Sequence, residues 1–154
     1  MAYIRLDIVN DKMARHFKLG VDDLENGAFV KITKLKGINH DRDTYEVSKL
    51  TDEKGDEYGF IAHDGHRYDE RDLGGDITVK AGELTRAFLF SKGDVITIDK
   101  KHIDGVVVAG DLLSPKPASY QLKKAETSTS VNVVAVVDGL EYYAGKECYV
   151  VRFL

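Results

Sequence analysis

Apolar side chains in this chain recur at every second residue, and that period constrains its fold more than any other feature. FVKITKL (29–35), TYEVSKL (44–50), DVITID (94–99) and CYVVRFL (148–154) are short and rich in β-branched and aromatic residues. Such segments fit strands better than helices. Clusters of Gly, Asn and Asp punctuate them: ENGA (25–28), DEKGDEYG (52–59), DLGGD (72–76), SKGD (91–94), IDGV (103–106) and VDGL (137–140). These residues accept the positive φ that tight turns require. Strands about ten residues apart with turn signals between them predict a sandwich or barrel.

Helix signals are sparse. NDKMARHFKL (10–19) and AGELTRAFLF (81–90) are the candidates, each long enough for one or two turns but without a long apolar stripe. Alternating strand–helix units are missing, which disfavours a parallel α/β sheet. The expected fold is one all-β domain over residues 1–154, a mostly antiparallel barrel or sandwich with at most one or two short helices. Two stretches, LFSKGDVITI and VVVAGDLLSP, share Gly-Asp after an apolar run and read as hairpins entering a turn. Pro115 and Pro117 confine their region to an edge or loop, because proline cannot donate to a ladder. Residues 1–12 read as a first strand or as an extended arm that pairs with a neighbouring subunit.

A chain of 154 residues buries roughly 68–70% of its unfolded surface, so its core needs no disulfide or structural metal. The single cysteine, Cys148, cannot form an intramolecular disulfide and reads as a packed strand residue of a protein folded in a reducing cytoplasm. MAYIRLDIVNDK lacks the basic and then apolar regions of a signal peptide. The longest apolar stretch, VNVVAVV (131–137), is strand length, far short of the ~18 residues a membrane helix needs. With 22 basic and 26 acidic side chains the net charge is −4, which argues against a duplex nucleic-acid binder. The basic stretches are KITKLK (31–36) and YQLKK (120–124), which a small nucleic-acid-binding barrel would have to use.

The densest polar segment is HDGHRYDERD (63–72). His63 and His66 stand three apart with Asp64 beside them, so a metal-dependent hydrolase would draw on His63, Asp64, His66 and Asp69. Zinc catalysis usually takes a third protein ligand, and its helical motif spaces histidines at i, i+4. Gly65 interrupts that spacing here, and DERDLGGD does not follow the oxygen-ligand spacing of a calcium loop. The segment reads as a polar loop joined by Arg–carboxylate pairs. No nucleophile elbow, phosphate loop or dinucleotide fingerprint occurs. The expected reading is therefore non-enzymatic, without cofactor or metal.

In the order of its segments the chain resembles capsid-associated structural proteins of tailed phages and prophages of Gram-positive bacteria. DLENGAFVKI, RYDERD, KAGELTRAFLFSKGDVITI, DGVVVAGDLLSPKPASYQL and the final CYVVRFL carry the likeness, which spans most of the chain. The resemblance implies a virion protein at the capsid surface, a head decoration or cement protein bound to the major capsid protein and to neighbouring copies of itself. A tail, head-fibre or connector component would leave a similar signature. The implied partners include no nucleic acid and no membrane. Contact residues expected from exposure are Tyr3, Ile4, Arg5 and Leu6 in the arm, and Tyr68, Glu70 and Arg71 in the polar loop.

Overall fold

The computed structural model describes residues 4–8, 14–19, 22–35, 44–62, 78–79, 81, 84–126, 132–143 and 145–154. The strands in chain order are β1 (Ile4–Ile8), β2 (Ala14–Leu19), β3 (Leu24–Glu25), β4 (Phe29–Leu35), β5 (Thr44–Ser48), β6 (Glu57–Ile61) and β7 (Thr78–Val79). They continue as β8 (Leu84–Leu89), β9 (Val95–Asp99), β10 (Ile103–Asp104), β11 (Leu112–Pro115), β12 (Leu122–Lys124), β13 (Ala135–Tyr143) and β14 (Lys146–Phe153). A 3₁₀ turn, Lys100–His102, links β9 to β10.

Both expected architectures occur together. β2 pairs with β5 and β8, β4 joins β5 to β6, and β6 returns to β8, so these five strands close into a ring. The remaining long strands form a seven-stranded sheet in the order β1-β9-β14-β13-β11-β12-β10, and β3 pairs with β7 separately. Only the β2–β5 and β10–β12 pairings are parallel among the described residues.

The period of two explains how the layers meet. Val30 and Ile32 of β4, Val47 of β5, Ile61 of β6 and Ala87 and Leu89 of β8 fill the ring's interior. Their alternates, Phe29, Tyr58, Phe60 and Phe88, point outward and pack on the sheet residues Ile96, Ile98, Leu113, Val137, Val151 and Phe153. The central strands of the ring are therefore apolar on both faces. Main-chain bonds seal the joint: the Phe29 N–H donates to the Tyr120 carbonyl (3.1 Å), and that of Leu50 to Ser119 (2.9 Å). The half-buried Tyr120 hydroxyl donates to Asp22 (2.6 Å), and desolvation first, then that carboxylate, holds the phenol protonated well above its ordinary range.

Three expectations need correction. The helix candidates at 10–19 and 81–90 contain β2 and β8, which pair antiparallel with each other from Ala14↔Phe88 to Lys18↔Leu84. Ring closure overrides the modest helix preference of their Ala and Leu residues. The VDGL segment is no chain reversal: β13 runs through it, with Asp138 as an extra residue between Val137↔Val151 and Gly139↔Val150, a β-bulge. The two Gly-Asp stretches do share one turn, but neither is a hairpin. Asp94 N–H bonds Ser91 and Asp111 N–H bonds Val108, each at 3.0 Å, with Gly93 and Gly110 at φ 88 and 90°. β8 and β9 lie in different sheets, and β10 pairs with β12 rather than β11, so these turns redirect the chain instead of closing a ladder. Pro115 sits in β11 beyond the end of its pairing with β13, where no ladder donor is needed.

Candidate interaction surface

Leu140 stands directly across from Tyr149, so both occupy the core-facing side of the sheet. Tyr149 is buried, whereas Leu140 is 53% exposed and Tyr142, two residues on, is 75% exposed. The neighbouring loop adds Val106 and Val108, at 88% and 63%. This loop is anchored rather than loose. Val107 is buried with its N–H 3.5 Å from the Tyr149 hydroxyl, and the Gly110 N–H donates to Val137 (2.8 Å). Leu140 and Tyr142 on the sheet, with Val106 and Val108 on the loop tethered to it, are thus four solvent-facing apolar side chains, the kind a protein-contact patch uses.

Charges border the patch. Lys100 pairs with Glu147 (3.0 Å) and lies 5.4 Å from the centre of the Tyr149 ring. Hydrogen bonding to Glu147 is the main reason its ammonium holds its proton more tightly than usual. Asp138, set out by the bulge, takes the Arg152 guanidinium at 3.2 Å. The Lys100–Glu147 pair sets charge beside the apolar side chains, as the rim of a protein interface does, whereas Arg152, across from Val136, holds its pair on the opposite face of the sheet.

A cleft of about 370 Å³ lies between ring and sheet and is lined by Asp56, Tyr58, Phe90, Asn132, Val134 and Leu154 among others. Its polar groups are already engaged in its own wall. Asp56 accepts from Thr51 (2.5 Å) and pairs with Lys31 (2.9 Å), which together hold its carboxyl below the usual range, Thr51 foremost. The Tyr58 hydroxyl serves the Thr51 and Glu53 carbonyls at 2.7 and 2.9 Å. The cleft is the seam between the two layers.

No protein-family model matches this chain, and no curated protein does.

The expected contact residues divide. Ile4, Arg5 and Leu6 belong to β1, an edge strand that pairs with Ile98, Thr97 and Ile96 of β9 in the same chain, so this stretch is a first strand. Tyr3 lies outside the described residues, as do Tyr68, Glu70 and Arg71 and the metal candidates His63, Asp64, His66 and Asp69. Among the described residues no group of three His, Cys, Asp or Glu side chains could hold a metal ion. Of the basic stretches, Lys31 pairs with Asp56 and Lys124 with Asp111, both at 2.9 Å. Cys148 is buried, and burial pushes its thiol pKa up, away from the reactive thiolate.

Nothing in the sequence around His102 singles it out. It is buried at the end of the 3₁₀ turn, with its ring against Gly27, where an added Cβ would lie 2.8 Å from Cδ2. Its Nε2 has no hydrogen-bond partner among the described residues. Desolvation outweighs a backbone bond to Asn26 and lowers the pKa to about 4, from 6.5. Between these values the unfolded chain binds a proton that the folded chain refuses, so stability falls as pH drops below 6.5 and levels off below 4. From pH 7 to pH 5 the loss should be about 2 kcal/mol. Urea midpoints at both pH values check this, and His102→Gln should flatten the slope whatever it does to the absolute level. An unchanged slope in that variant would assign the effect to other groups.

Proposed function

We propose that this chain is a non-catalytic structural protein of a tailed-phage particle, seated on the capsid surface and bound to the major capsid protein. The observation that carries this reading is the exposed apolar end of the sheet, Leu140 and Tyr142 with Val106 and Val108. A two-layer β scaffold holds that end in a fixed geometry. Adhesion to a shell needs such a surface and no converging reactive groups. The likeness of DLENGAFVKI, KAGELTRAFLFSKGDVITI and DGVVVAGDLLSPKPASYQL to capsid-associated proteins points the same way. Contacts repeated over a lattice can each be weak, because a subunit that touches several shell proteins rebinds at high effective concentration.

Mass spectrometry of purified virions tests the reading. Copy numbers comparable with that of the major shell protein are expected. A copy number near that of a single portal ring would move the protein to a tail or connector role, and absence from the particle would overturn the proposal.

A further inference from the structure

The backbone of β14 reveals which groups of its neighbour are left over. The Phe153 N–H donates to Asp94, and its carbonyl accepts from Gly93, both at 2.9 Å and both on the β9 side. Backbone groups alternate along a regular strand, so Val151, Tyr149 and Glu147 also turn toward β9, while Arg152, Val150 and Cys148 turn toward β13. The residues of β13 across from the first set are Val137, Leu140 and Tyr142. Meeting no bonding group on β14, these three aim their own N–H and C=O at the opposite edge of β13. Val137 bears this out: its N–H donates to Asp111 (2.9 Å), and its carbonyl accepts from Gly110 (2.8 Å). Pairing of β13 with β11 ends at Leu112↔Val136. Beyond Val137, the outward groups of Leu140 and Tyr142 meet no partner among the described residues.

Two donor–acceptor pairs spaced i, i+2, carried by residues whose side chains are also the exposed apolar ones, match what an incoming strand satisfies. We propose that the Leu140–Tyr142 edge of β13 is a strand-addition site that takes an extended segment of the shell protein. This rests on the shell-binding reading above. Charge selects the occupant. A second copy of β13 added antiparallel with Leu140 across from Tyr142 would set two Glu141 residues directly opposite each other, each with its carboxylate accepting from Thr97 Oγ1 (3.2 Å), and like charges so placed are destabilising. The segment that fits is apolar at alternate positions and carries a neutral or basic residue across from Glu141.

Leu140→Pro removes the backbone donor, and Leu140→Ala, which keeps that N–H, controls for the lost side chain: the alanine variant should bind shells clearly better than the proline variant. Proline deletes the outward N–H, while Leu140 contributes no bond to β14, and an edge strand tolerates proline at such a position. The probe is purified shells assembled without this protein, titrated with wild-type and variant chains. The wild-type chain should bind, and Leu140→Pro should keep its thermal midpoint while its shell affinity falls about tenfold or more. Amide exchange on wild-type protein needs no variant: protection of residues 139–143 should rise on shell binding. Equal binding of wild-type and Leu140→Pro, or no added protection, overturns the strand-addition site and leaves the shell-binding reading intact. Failure of the wild-type chain to bind shells overturns both. A dimer of the free protein that Leu140→Pro abolishes would give the edge to a second copy and overturn the assigned occupant.

Discussion

Phe60→Ala should lower the free energy of unfolding by about 3–5 kcal/mol. Phe60 is fully buried on the outward face of β6, where the ring meets the sheet. Its ring stacks on Phe88 of β8 and on Phe153 of β14, both with centroids 5.6 Å away and planes within 16° and 5°. Phe90 closes the group, 4.3 Å from Phe153. Truncation therefore removes one aromatic from between two layers and leaves a cavity that stiff rings on rigid strands cannot refill. Against a typical total of about 5–15 kcal/mol the loss is severe. Because the cluster spans both layers, the defect should destabilise them together. Denaturant unfolding followed through the tyrosine signal should show one transition at a lower midpoint with an unchanged slope. Two separated transitions would mean that the ring and the sheet unfold independently, and a loss below about 1.5 kcal/mol would mean that the aromatic group repacks.

The sequence already contains this architecture where hydrophobic alternation decides the outcome. FVKITKL is β4 residue for residue, and DVITID and CYVVRFL contain β9 and most of β14. Ile96 and Ile98 alternate with Thr97 and Asp99 in β9, and Val151 and Phe153 with Arg152 in β14, so the apolar alternates select the core face there; Phe29 and Val30 of β4 are buried on opposite faces, and its β-branched and aromatic content specifies the strand. β2 and β8 escaped because their pairing joins residues some seventy positions apart, and nothing local encodes a partner at that distance. Their Ala, Leu and Arg residues suit either state. The Asp138 bulge escaped for a different reason. Asp-Gly permits a positive φ without compelling it, and Gly139 is not among the glycines that adopt one. The contact surface was hidden more deeply. Leu140 and Tyr142 alternate as core residues do, yet they stand in water. Periodicity reports which face a side chain occupies and is silent about where the covering layer stops.

Gly59→Ala should cost about 3 kcal/mol, at the upper end of overpacking effects, although it adds a single methyl group. Gly59 lies within β6, paired with Val30 on one side and Leu89 on the other. A Cβ built there falls 2.7 Å from the Phe88 carbonyl oxygen and 3.5 Å from Ile32 Cδ1. The Ile32 contact is ordinary, but the carbonyl belongs to the neighbouring strand and cannot rotate away. Relief requires β6 and β8 to separate, and these are adjacent staves of a closed ring, so the strain passes to every ladder around it. Gly55→Ala supplies the contrast. At φ 96° with nothing within 4 Å of its Cβ, it should cost about 1–2 kcal/mol through backbone strain alone. Denaturant midpoints of the two variants separate steric from conformational cost. Combining Gly59→Ala with Ile32→Val decides which neighbour resists the methyl: no rescue is expected, because the obstacle is main chain. Recovery in the double variant would place the clash in the ring's interior side chains and show that the ladder between β6 and β8 has room to give.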